Sequence, residues 1–73
     1  MPKLGVFSGA ELCRLLEEHG FENVRQRGSH VVMQKRLGHT TITVPVPWHR
    51  EIRIGTLLSI IRQSGLPRDI FER

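Results

Sequence analysis

The chain has 73 residues, which suffices for one domain and no more. Lys and Arg outnumber Asp and Glu by 11 to 7, a formal net charge of +4, so polyanions are expected partners, although basicity also serves solubility. The single cysteine, Cys13, excludes an internal disulfide, and no residue spacing predicts a metal site. No apolar run reaches membrane-spanning length and the first residues lack signal-peptide features, so we expect a cytoplasmic protein.

The segment "FSGAELCRLLEEHG" predicts an amphipathic helix with both ends marked. Ser8 and Glu11 are spaced as a capping box, in which each side chain binds the backbone N–H of the other residue. Gly20 supplies the left-handed conformation that commonly ends a helix. The residues that share one stripe at helical spacing are Leu12, Leu15, Leu16 and His19.

Three strand segments follow, "FENVRQRGS", "HVVMQKR" and "TTITVPV", and the first ends at Gly28. The residues "LGH" between the second and third predict a hairpin. An extended connector, "VPVPWHREIRIG", leads to "TLLSIIRQSG", which predicts a second helix with a broad apolar face and a stop at Gly65. The final segment "LPRDIFER" allows a short last helix.

The length of the hairpin loop decides which side of the sheet His30 occupies. The third strand has a clear core face, formed by Ile42, Val44 and Val46. A loop of two or four residues sets Val31 and Met33 on that same face, and His30 on the opposite one with the other even-numbered residues of its strand. A three-residue loop exposes Met33, which is the poorer arrangement. We therefore expect His30 on the open face.

The order helix, three strands, helix predicts an α+β fold over residues 1–73. In this fold a three-stranded antiparallel sheet carries both helices on one face. The other face is left to solvent or to a partner. Double-stranded-RNA-binding domains have this α-β-β-β-α architecture, which agrees with the basic charge, but an architecture alone does not establish a function.

The stretch "RQRGSH" brings together groups that RNA cleavage needs. His30 can give and take a proton near neutral pH, as is required to activate a ribose 2′-hydroxyl or to protonate the leaving 5′-oxygen. Arg25 and Arg27 lie on one side of their strand and can stabilise the developing charge. Gly28 permits close approach of a phosphate, and the hydroxyl of Ser29 can orient the phosphate or the imidazole.

Each of these residues also has a simpler interpretation. A histidine on a strand is often only a tolerated polar residue, Gly-Ser is commonly a turn, and arginines form solvated surfaces. Lys35 and Arg36 are further candidates for phosphate binding. Trp48 can stack on a base or simply pack, and His49 can reach a substrate from the connector, although nothing local requires it.

Four segments carry a family resemblance: "FSGAELCRLLEEHGF", "RQRGSH", "TVPVPWHREI" and "GTLLSIIRQSGL". In this order they resemble the HicA toxins of HicAB toxin–antitoxin modules, over Phe7 to Phe71. The resemblance implies a double-stranded-RNA-binding-domain-like fold and an mRNA interferase that needs no metal or other cofactor. It also implies that His30 of G-S-H is catalytic and that a cognate HicB antitoxin neutralises the toxin. The departures lie in the connector, where Ile54 precedes G-T-L and a Pro-Trp pair separates V-P-V from His49.

Three functions are compatible with these observations. The leading one is an endoribonuclease with His30 as general acid or base, its second proton-transfer group being Ser29, Lys35, His49 or water. The second is a non-catalytic RNA-binding module with salt-dependent affinity. The third is a protein-interaction domain that docks through its open sheet face or through Trp48, which is compatible with the first because an antitoxin would cover the same site.

Overall fold

The computed structural model describes residues 3–73, and its elements follow the predicted α-β-β-β-α order. They are α1 (Gly9–Glu18), β1 (Glu22–Arg27), β2 (His30–Leu37), β3 (Thr40–Pro47), α2 (Ile54–Ser64) and a closing 3₁₀ turn (Arg68–Phe71). The sheet is antiparallel with strand order β1-β2-β3, which confirms the α+β fold class. No helix within this range is both long and apolar enough to cross a membrane.

Helix α1 begins as its capping box predicts. Ser8 is extended and its Oγ accepts a hydrogen bond from the Glu11 backbone N at 3.0 Å, while the Glu11 carboxylate accepts one from the Ser8 backbone N at 2.9 Å. The hydrogen bond from the Ser8 backbone is the main reason that the pKa of Glu11 lies below its ordinary value. At the other end, Gly20 takes a φ of 96°, and the ring Nδ1 of His19 hydrogen bonds with the Leu15 carbonyl oxygen at 2.9 Å.

Two-residue turns set the register of the sheet. Gly28–Ser29 joins β1 to β2 and Gly38–His39 joins β2 to β3, and the glycine of each turn has a φ of 58°. A left-handed residue at the first turn position only is the pattern of a type II′ turn, whose twist matches that of the flanking strands. The buried face of the sheet holds Val31, Met33, Val44 and Val46. The predicted placement of His30 on the open face is therefore confirmed.

Both helices cover the buried face of the sheet. The fully buried apolar side chains of the helices are Leu12, Leu16, Leu57 and Ile60. The Phe7 and Phe71 rings meet edge to face, with centroids 6.4 Å apart, and so join the two ends of the chain within the core. Cys13 is also buried, as expected, and desolvation raises the pKa of its thiol to about 11.

Several boundaries differ from the prediction by one or two residues: β1 is shorter than predicted, and β2 runs through Leu37, so that the predicted L-G-H loop is reduced to Gly38–His39. Strand β3 continues through Pro47 into the predicted connector. An edge strand tolerates proline where the missing N–H would face away from the sheet, and Pro45 and Pro47, two residues apart, present the same side. Helix α2 begins at Ile54, two residues before the predicted start at Thr56. The N–H groups of the first turn have no acceptor within a helix, and a glycine such as Gly55 is tolerated there.

Candidate nucleic-acid interface

His30 is the first residue of β2 and stands at the end of the sheet. It lies opposite Arg27 of β1 and Pro47 of β3. Directly opposed residues of an antiparallel pair share a face, with Cβ atoms about 4.5–5.5 Å apart. The two-residue turn Gly28–Ser29 therefore sets an exposed imidazole beside a guanidinium on the open face.

A β-bulge in β1 decides which of its other side chains join that face. The register shifts between Asn23 and Arg25, so that Arg25 lies opposite Val32 and Glu22 lies opposite Gln34. In a regular strand Glu22 and Arg25 would point to opposite faces, because their numbers differ by three. The bulge brings both side chains onto the open face with His30.

The open face is basic, and its arginines are not neutralised by ion pairing. Within residues 3–73 the only ion pair shorter than 4.0 Å joins Arg68 to Glu72, at 3.2 Å, far from the sheet in sequence. The three arginines that β1 and β2 contribute to the open face are Arg25, Arg27 and Arg36. Helix α1 is different, since its exposed charged residues are Glu11, Arg14, Glu17 and Glu18. A polyanion is therefore attracted to the sheet side in preference to α1.

The turn before His30 leaves room for a ligand. A Cβ added to Gly28 would meet no atom within 4 Å, so the space beside this backbone is open. Ser29 is exposed, and its carbonyl oxygen accepts a hydrogen bond from the Trp48 backbone N at 2.6 Å. This bond extends the β2–β3 pairing by one step and ties the connector to the turn.

The other sequence-predicted site residues are spread over the molecule. Lys35 lies opposite Ile42 on the helix side of the sheet, with its Nζ 5.9 Å from the centre of the Phe21 ring, and so does not share the face of His30. Arg36 does share that face but stands six residues along β2, about 20 Å away at the usual rise of a strand. The structure thus brings Arg25, Arg27, Gly28 and Ser29 to His30, and it sets Lys35 and Arg36 apart.

Trp48 and His49 lie beside the start of α1. The His49 carbonyl oxygen accepts a hydrogen bond from the Gly9 backbone N at 2.9 Å. Both side chains line a shallow concavity with Ser8, Ala10 and Arg50. Trp48 is 51 % exposed, so its indole is free to contact a partner and is not a core residue.

A concavity at the far end of the open face is not marked by any motif in the sequence. Its volume is about 510 Å³, and its lining includes Glu22, Gln34, Arg36 and Thr41. The Gln34 side chain links β2 to β3, because its Nε2 donates a hydrogen bond to Thr43 Oγ1 at 3.2 Å. Strand alternation placed Gln34 on the open face, but no signal in the sequence marks the bulge that adds Glu22. Within residues 3–73, no group of three or more His, Cys, Asp or Glu residues is arranged to hold a metal ion.

The fold and this surface define a class of protein: a small α+β domain whose open sheet face presents a histidine among arginines. A family model described as the HicA toxin of bacterial toxin-antitoxin systems matches residues 9–66. The protein therefore belongs to the HicA toxin family, which confirms the resemblance seen in the sequence and makes an antitoxin its expected counterpart. No curated protein and no solved structure gives a significant match.

Proposed function

We propose that this toxin is an mRNA interferase, an endoribonuclease that cleaves RNA without a metal ion, with His30 as its general acid or base. One observation carries the proposal: the two-residue turn sets His30 directly opposite Arg27 on an exposed basic surface. A proton-transfer group and a phosphate-binding group are thereby held together by the register of the backbone. The proposed site of action is the cytoplasm, where messenger RNA is the substrate.

The reaction needs two proton transfers around one phosphorus. The ribose 2′-oxygen loses its proton and attacks the phosphorus, the bond to the 5′-oxygen breaks, and that oxygen gains a proton. The products are a 2′,3′-cyclic phosphate and a free 5′-hydroxyl. His30 performs one of these transfers, which typically contributes about 10²–10⁴-fold in rate. The second group is Ser29, His49 or water; Lys35 is the weakest candidate because it lies on the other side of the sheet.

The neighbouring residues position the phosphate. Arg27 donates hydrogen bonds to its non-bridging oxygens as negative charge develops there. The open space at Gly28 allows the RNA backbone to approach the turn closely. The hydrogen bond from Trp48 to the Ser29 carbonyl oxygen holds the turn and the connector in one arrangement.

The proposed partner is a cognate HicB-type antitoxin that covers this site. Because the open face carries three arginines without ion pairs to acidic residues, we expect the antitoxin surface that meets it to be acidic. Such a surface excludes RNA by occupying the same charges. Inhibition then requires no change in the fold of the toxin.

The test is a gel assay of a long RNA with purified protein in excess chelator. His30→Ala is compared with wild type and with His39→Ala, since His39 is an exposed histidine in the equivalent turn at the other end of β2. We expect wild type and His39→Ala to cleave, and His30→Ala to lose at least about a hundredfold in rate while it still folds and binds RNA. Full activity of His30→Ala, or loss of wild-type cleavage on chelation, would contradict the proposal.

A further inference from the structure

Glu22 is an exposed carboxylate on an otherwise basic surface. The bulge in β1 sets it opposite Gln34, on the face that also holds Arg25 and Arg36. Within residues 3–73 it forms no ion pair, although arginines stand on the same face. No hydrogen bond joins its carboxylate to the neighbouring Gln34 in this part of the chain, where the Gln34 Nε2 donates to Thr43 Oγ1 of β3. Its acceptor oxygens therefore remain directed to solvent or to a ligand.

A carboxylate in this place opposes the binding of phosphate. The carboxylate becomes favourable if the edge of a nucleobase faces it, because a carboxylate accepts hydrogen bonds from an exocyclic amino group such as N4 of cytosine. Uracil has a carbonyl oxygen at that position and is repelled. Gln34 donates one Nε2 hydrogen to Thr43, and its amide oxygen can accept a hydrogen bond from the same edge of the base.

We infer that Glu22 and Gln34 form a subsite that selects an unpaired base bearing an exocyclic amino group. The inference rests on the proposed function, because it requires RNA to lie along the open face. Base edges are accessible in this way only in single strands, so the substrate class is single-stranded RNA.

The distance between the subsite and His30 indicates how far the selected base lies from the phosphate that is cleaved. Gln34 follows His30 by four residues along β2, a distance of about 13 Å. At the spacing of about 3.4 Å per nucleotide in a stacked strand this is roughly four nucleotides, and fewer if the strand is extended. The concavity of about 510 Å³ that Glu22 and Gln34 line is of the size of small-ligand sites, about 300–1,000 Å³. The selected base is thus displaced from the scissile phosphate.

The experiment measures binding apart from cleavage. All proteins carry His30→Ala, and fluorescence anisotropy compares labelled oligocytidylate with oligouridylate, each of about eight nucleotides. These two chains have rings of the same size and differ in the exocyclic group. Glu22→Ala is compared with Glu18→Ala, which removes an exposed glutamate from α1 and so changes the net charge equally.

We expect the parent and Glu18→Ala to bind oligocytidylate about five- to tenfold more tightly than oligouridylate, which corresponds to one good base contact. Glu22→Ala should bind both chains with equal affinity. Equal binding of both chains by the parent, or unchanged discrimination in Glu22→Ala, would overturn the inference. Its failure is distinct from that of the proposed function: cleavage without discrimination rejects only the subsite, whereas discrimination without wild-type cleavage rejects only the nuclease.

Discussion

At the scale of single residues, the pairing of Arg27 with His30 is the feature on which the proposed chemistry depends. Both side chains are exposed, so each could be replaced without disturbing the core. The register places them together through backbone hydrogen bonds alone, independently of any contact between the side chains. Their roles can therefore be tested by substitutions that leave the sheet intact.

We predict that Arg27→Ala lowers the cleavage rate by about ten- to a hundredfold, because a hydrogen bond to a charged group contributes about 1.5–3 kcal/mol. Arg62→Ala is the matched control, since it removes an exposed arginine of α2 and changes the net charge equally. Single-turnover rates with saturating protein separate this effect from weakened binding. Equal cleavage rates for the two variants would show that Arg27 acts only through its contribution to the net charge and not through a contact with the phosphate.

At the scale of elements, the two turns of the sheet provide a comparison within one molecule. Gly28 and Gly38 both have a φ of 58°, and a Cβ at either would meet no atom within 4 Å. An alanine at either position therefore lowers the stability only through its left-handed backbone conformation, by about 1–2 kcal/mol. The turns differ in function, because only Gly28–Ser29 adjoins His30.

We predict that Gly28→Ala and Gly38→Ala lower the free energy of unfolding by similar amounts, about 1–2 kcal/mol each in urea denaturation. Only Gly28→Ala should also slow RNA cleavage, since a change of turn geometry moves His30 relative to Arg27. The comparison is made at a temperature where both variants remain folded by circular dichroism. If both variants slowed cleavage equally, loss of stability would explain the result and the turn would have no special part in positioning.

At the scale of the whole molecule, most of the fold could be predicted because its signals are local. The capping box, the left-handed glycines and the alternation of aliphatic residues with threonine or proline along β3 each act within a few residues. The same alternation predicts the open-face position of His30 for a two-residue hairpin loop, which is the loop that the structure has. The catalytic role proposed for it stays a prediction.

The rest of the site depends on features that no local pattern marks. The bulge after Asn23 changes which side of the sheet Glu22 occupies, and its sequence "ENVRQR" is that of an ordinary polar strand. The connector after Pro47 has no periodicity, so the contacts of His49 with the start of α1 depend on tertiary packing. Contacts between residues so far apart in the chain cannot be predicted from the pattern of a single helix or strand.

The charge of the open face leads to the last prediction, on the salt dependence of RNA binding. Each phosphate contact with a single strand contributes about −0.7 to the slope of log K against log salt. Three arginines on one face, Arg25, Arg27 and Arg36, therefore predict a slope of about −2 for the His30→Ala protein. Arg36→Ala should reduce the slope to about −1.4, although Arg36 is remote from His30, whereas Arg62→Ala should leave it unchanged. The measurement is a titration of labelled single-stranded RNA at several salt concentrations; a slope that changes with Arg62 and not with Arg36 would place the RNA on the helices instead of on the sheet.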